Sequence, residues 1–229
     1  MRLRSPLLLG TAILAVAACG DVSSLGDTPS PTASPSPSSG PDRETITVVA
    51  GGTGDYELAT IPVALLHNDS ARHGASQVVV HFVTRNAHGG RLGALDSVAV
   101  NLAPGETLPV AGDCTDACTG AATTDASVTV GAWVDAPGVS FTGAGTTYRC
   151  EACGQSNQHG DVVGTVAVPH LGEGAAVALF AACQDASEKV VGGGLAQIVW
   201  PGGRSLAVDV PVLLSAAPAR CSLGASAGW

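Results

Sequence analysis

QVVVHFVT, residues 77–84, has a two-residue period, with Val78, Val80 and Phe82 on one face and Val79, His81 and Val83 on the other. This alternation, in a segment rich in β-branched side chains, predicts a strand, and the polar set Asn86–Gly90 after it predicts a hairpin loop. Upstream, Thr45–Ala50 (TITVVA) is short and β-branched, and Ile61–His67 (IPVALLH) is apolar and stops at the turn signal Asn68-Asp69-Ser70. Downstream, Ser97–Leu102 (SVAVNL) leads into Ala103-Pro104-Gly105-Glu106, a turn with φ pre-set at proline and a permissive glycine. Thr107–Val110 and Ser127–Val134 (SVTVGAWV) complete the series. Short strands at close spacing, with no long helical period, predict an all-β fold of the sandwich kind.

The same order of elements then recurs. Val139–Cys150 opens a second series, followed by Val162–Val168. Ala175–Cys183 (AAVALFAAC) matches Gln77–Thr84, with Phe180 in the place of Phe82. Gly192-Gly193-Gly194 reads as a flexible hairpin before Leu195–Trp200, and Pro201-Gly202-Gly203 stands where the first half has Pro104-Gly105-Glu106. Ser205–Leu214 then resumes the strand pattern. The repeat predicts two tandem sandwiches, 44–137 and 138–229, with one larger sandwich as the alternative.

Leu65-Leu66-His67-Asn68, the strand VVVHFVT, Gly93 and Leu102-Ala103-Pro104-Gly105-Glu106-Thr107 together resemble the FxLYD-type immunoglobulin-like domains of bacterial, actinobacterial-type surface lipoproteins. The resemblance covers about residues 45–135 and, more weakly, 139–225. It departs at the signature itself, where Val83-Thr84 follows Phe82, and the second half lacks the Glu and Thr after Pro-Gly. It implies tandem immunoglobulin-like sandwiches acting as a binding or structural module, with no catalytic residue carried over.

The N-terminus predicts the compartment. MRLRSPLLLGTAILAVAAC has a positive start at Arg2 and Arg4, and an apolar run, Leu7–Ala17, too short to span a bilayer. Small residues Val16-Ala17-Ala18 precede Cys19, and this motif resembles a lipobox. The resemblance implies a signal peptide over residues 1–18, lipidation of Cys19, and anchorage at the extracytoplasmic face of the cell membrane. Residues 19–43, rich in Pro, Ser and Thr, bury too little apolar surface to repay ordering. They predict an extended tether, at about 3.1 Å per residue where polyproline II forms.

Removal of residues 1–18 takes the formal charge from −9 to −11, which disfavours nucleic acid as a partner. Of seven cysteines, six remain beside Cys19, an even number suited to disulfides in an oxidising compartment. The candidates are Cys114, Cys118, Cys150, Cys153, Cys183 and Cys221. Either the close pairs 114/118 and 150/153 form, or crossed pairs join the two halves, with Cys183–Cys221 as a long-range bridge. Zinc on the four close thiolates and redox chemistry at Cys150-x2-Cys153 are the weighed alternatives.

His67, Asp69 and His73 crowd one turn region, and His81 and His88 flank the next hairpin, so this stretch is the candidate metal or small-ligand site. Gly224-Ala225-Ser226-Ala227-Gly228 matches a nucleophile elbow in letters only, because no helix follows it. Trp133 is expected in the core and Trp200 at a sandwich edge. No catalytic residue and no cofactor is assigned. The expectation is a non-enzymatic binding or adaptor module for an envelope protein, offering loops or an open strand edge. The alternative is a small-ligand or metal-binding lipoprotein using the His67–His88 loops.

Overall fold

A computed structural model of the chain describes residues 42–56, 59–114, 118–135, 141–153, 157–168 and 171–227. Cys19, the signal segment, nearly all of the tether, and His170 lie outside the described residues. The described part is all β, with no α-helix. Fourteen strands run in antiparallel pairs.

In the first half, β1 (Ile46–Tyr56), β2 (Ala59–Asn68) and β6 (Thr107–Ala111) form one sheet with β2 central. The long strand β3 (Gly74–Arg85) organises the other. It pairs with β4 (Arg91–Asp96) and β5 (Val100–Leu102), and also with β7 (Thr123–Thr129) and β8 (Ala132–Val134). Val78, Val80 and Phe82 are buried while Val79, His81 and Val83 are half-buried, the alternation expected from QVVVHFVT. The expected strand 127–134 divides at Val130-Gly131, where the Gly131 N–H turns to the carbonyls of Ser76 and Gln77.

The second half repeats the pairing scheme. β10 (Gln158–Ala167) lies between β9 (Thr142–Ala152) and β13 (Ser205–Leu214), as β2 lies between β1 and β6. β11 (Ala176–Gln184) lies between β12 (Val190–Val199) and β14 (Arg220–Ala227), as β3 lies between β4 and β7. The turns match too. The Asn68 N–H donates to the Glu106 carbonyl, and the Val168 N–H donates to the Arg204 carbonyl, each tying the end of the central strand to the Pro-Gly turn. One difference closes the second half, where β12 meets β13 through Gly192↔Leu214 and Gly193↔Leu213 and six strands join in one sheet.

The halves share a core. Val63, Leu66, Val80 and Phe82 from the first half cluster with Ala178, Phe180, Ala182 and Val190 from the second. The opposite face of β11, with Val177, Leu179, Ala181 and Cys183, belongs to a second cluster with Val162, Val166, Val210 and Val212. β11 is therefore apolar on both faces. The unbroken run AVALFAAC follows from that position, because a strand covered on both sides has no solvent face for polar residues. β2 has the same character, with Val63 to Leu66 all buried.

The described residues all fall in one compact unit. Apolar side chains of one core cluster pack across the division expected between 137 and 138. The physical reason is that the β1–β2–β6 layer and the β11–β12 layer each present a second apolar face, and each covers the other.

The triple glycine is also placed differently from its reading as a hairpin. Gly192–Gly194 lie inside β12, where its backbone passes β1 and β13. A Cβ on Gly54 would meet the Leu213 carbonyl; one on Gly192 would meet the same carbonyl and stand 2.8 Å from the Gly54 Cα. Main chains this close exclude any side chain, and Gly192 adds a φ of +143°. This crossing explains why β1 continues through GGTGDY, although glycine weakens a strand interior.

Candidate functional site

The histidine loops are held by local contacts that do not converge. Asn68 is fully buried; its side-chain amide donates to the carbonyls of His73 (2.9 Å) and Ala103 (3.0 Å), and its Oδ1 accepts from the Ser70 N–H (3.0 Å). The turn after β2 and the Ala103–Glu106 turn are thus fastened by one side chain.

His67 faces Thr107 Oγ1 at 2.9 Å and stands 3.8 Å from Asp69. His73 turns elsewhere, toward Asp42 (3.2 Å), Glu44 (3.1 Å) and Asp135 (3.3 Å). The candidate set His67, Asp69 and His73 is therefore not gathered at one point. Among the described residues no group of three His, Cys, Asp or Glu side chains has the arrangement to hold a metal ion. His81 is engaged on the half-exposed face of β3 by Asp96 (2.6 Å) and Thr129 (2.8 Å), and His88 lies in the exposed Asn86–Gly90 turn.

Two carboxyls near these turns show opposite environments. The Ser70 hydroxyl and the Ala71 N–H donate to Asp42, holding its carboxyl below the ordinary aspartate range. Burial pushes the Glu106 carboxyl up, against the opposing effect of the Ala103 N–H, which donates to it at 2.6 Å.

Three disulfides join Cys114–Cys118, Cys150–Cys153 and Cys183–Cys221. The close pairs form locally, the crossed pairing does not occur, and no thiolate is left for zinc among these six. Cys183 and Cys221 face each other across β11 and β14. Ser226 lies buried within β14, where its Oγ accepts from the Asn101 N–H at 2.8 Å, a structural position. Trp133 packs partly buried against the first core cluster, whereas Trp200 is fully buried in the second and does not cap an edge.

Two concave regions lie where the halves meet, and neither had a local signal in the sequence. The larger, a mostly apolar groove of about 570 Å³, is lined by Val49, Ala50, Leu65, Pro109 and Leu223. Its rim carries Gln184 and the ion pair Arg220–Glu188 at 3.2 Å. Val49 stands 52% exposed there, one of two large apolar side chains so exposed among the described residues. The other is Val199, 69% exposed on β12, whose residues 195–199 pair with β11 alone.

The smaller region is a polar cleft of about 430 Å³ between Gly51–Asp55 of β1, the start of β7, Lys189 and Ser215. Asp55 is half-buried, accepts from the Thr60 hydroxyl at 2.5 Å, and has its carboxyl pushed up by burial. These regions draw on strands more than one hundred residues apart, so only their assembly makes them visible. No protein-family model matches the chain, and no curated protein matches it significantly.

Proposed function

We propose that this chain is a lipid-anchored, extracytoplasmic binding or adaptor module of the cell envelope, non-enzymatic, that recognises a protein partner through the apolar groove between its halves. The observation carrying this reading is the groove itself: apolar lining, charged rim, and Val49 exposed at its mouth. An apolar centre with a polar rim is the anatomy of a protein-binding patch.

The anchor at Cys19 and the tether over 19–43 are supported by the lipobox-like and Pro/Ser-rich sequence. Six cysteines paired as disulfides suit an oxidising compartment. The immunoglobulin-like, FxLYD-type reading gains support from a pairing scheme used twice, with Asn68 bound to the Ala103–Glu106 turn.

The test is photo-crosslinking of the full-length lipoprotein in intact cells, with the reactive residue at position 49 or, separately, at position 199. The expected result is one envelope protein captured reproducibly from position 49 and lost when Arg220→Glu inverts the rim charge. Capture from position 199 alone would move the contact to the open edge of β12. A blank at both positions, with bait well recovered, would overturn the adaptor reading.

A further inference from the structure

The polar cleft has a composition that the adaptor reading does not use. Its lining brings Asp55 and Lys189 to one cavity, together with Thr53, Thr123, Ser215, Gly51 and Gly52. Lys189 is the sole lysine of the chain. Among the described residues neither group is within ion-pair distance of the other, and Lys189 forms no salt bridge, its charge being felt at longer range by the Asp185 carboxylate, which it helps to lower. Among the described residues no aromatic ring lines the cavity, so they offer no stacking platform for a sugar ring.

We propose that this cleft binds a small zwitterion of the amino-acid or short-peptide class, its ammonium set against Asp55 and its carboxylate against Lys189.

The charges lining the cleft select the class. A simple anion attracted to Lys189 meets the Asp55 carboxyl in the same cavity, and a simple cation meets the reverse. A molecule with both charges satisfies both groups, each through a charge-assisted hydrogen bond. Burial raises the Asp55 carboxyl because the anion is poorly solvated there; an ammonium beside it supplies what water does not. Size agrees as well. Taken as a sphere, 430 Å³ is on the order of 9 Å across, and a two-residue chain spans at most about 7 Å.

Glycylglycine is the test ligand, because it has both ends and no side chain. Its binding to the full chain in detergent is followed by isothermal titration and by the amide resonances of Thr124 and Ser215. The expected result is saturable binding, weakened about tenfold or more when either end is blocked, as in N-acetylglycylglycine or glycylglycinamide.

Asp55→Asn is expected to abolish the penalty for the blocked amine alone, and Lys189→Met the penalty for the blocked carboxylate alone. The blocked ligands on the unaltered protein keep the test decisive if a variant fails to fold. Absence of saturable binding to the unaltered protein, or binding indifferent to both blocks, would overturn the assignment. The groove and its partner are untouched by either outcome.

Discussion

Phe180 sits on the face of β11 that the first half covers, fully buried among Val63, Leu66, Phe82 and their neighbours. Replacing it with alanine removes a buried ring and leaves a cavity that packed strands on both sides fill poorly. A change of this kind costs about 3–5 kcal/mol. For a unit of this length each kcal/mol lowers the melting temperature by about 2–4 °C, so a fall of roughly 6–20 °C is expected.

Because the core is shared, the loss should be felt equally in both halves. Trp133, against the first cluster, and Trp200, inside the second, are placed to report them separately. Single-tryptophan parents retaining one or the other, with the remaining tryptophans changed to Phe, are unfolded by heat with and without F180A. Coincident transitions that move down together are expected from both reporters, and F82A should shift both as well. A Trp133 transition left in place while Trp200 alone moves would refute the shared core and restore two independent sandwiches.

Gly192→Ala should be costly, about 2–5 kcal/mol, because it combines a strained φ with contact on the Leu213 carbonyl. Gly203→Ala, also at positive φ but with open space around it, should cost only about 1–2 kcal/mol. Equal urea midpoints for the two variants would contradict the backbone crossing. Glu106→Gln should flatten the pH dependence of stability. Burial raises the folded-state pKa, so the folded chain holds this proton where the unfolded chain has lost it. The residue's contribution therefore declines as pH rises from the ordinary glutamate value through the raised one. Denaturant titrations of both proteins across that window should diverge most on its alkaline side, with the Gln variant at least as stable. Replacing Cys183 and Cys221 together by Ser reopens a closure of 38 residues and should cost roughly 4 kcal/mol, against roughly 2 for the pair Cys150 and Cys153, only three apart. Equal losses in calorimetry would refute that ordering.

Strand identity was largely legible because its signals are local. The alternation of QVVVHFVT survives in the burial of β3, and the Pro-Gly turns precede β6 and β13 as their chemistry requires. The repeat was legible too, since Phe82 and Phe180 stand in corresponding strands. The unbroken apolar runs 61–66 and 176–183 held further information. A run without alternation signals a strand covered on both faces, and two such strands, one per half, point to layers that cover each other. Read that way, they weigh against a boundary at 137. The triple glycine misled because glycine is ambiguous in sequence: the missing side chain that frees a hairpin is the same feature that admits a second backbone.

An all-β character, a duplicated element order, an even set of six cysteines beside Cys19, and turn signals at Asn68-Asp69-Ser70 and at the Pro-Gly pairs can all be read from the residues alone. The strands and turns among these follow from neighbours within a few residues, where sterics and side-chain period act directly. Which faces meet, how the six cysteines pair, and where His73 turns when three carboxyls compete for it are set by the folded arrangement. It alone made the groove at Val49 and the cleft of Asp55 and Lys189, because the walls of each come from segments whose proximity is set by packing of the whole unit.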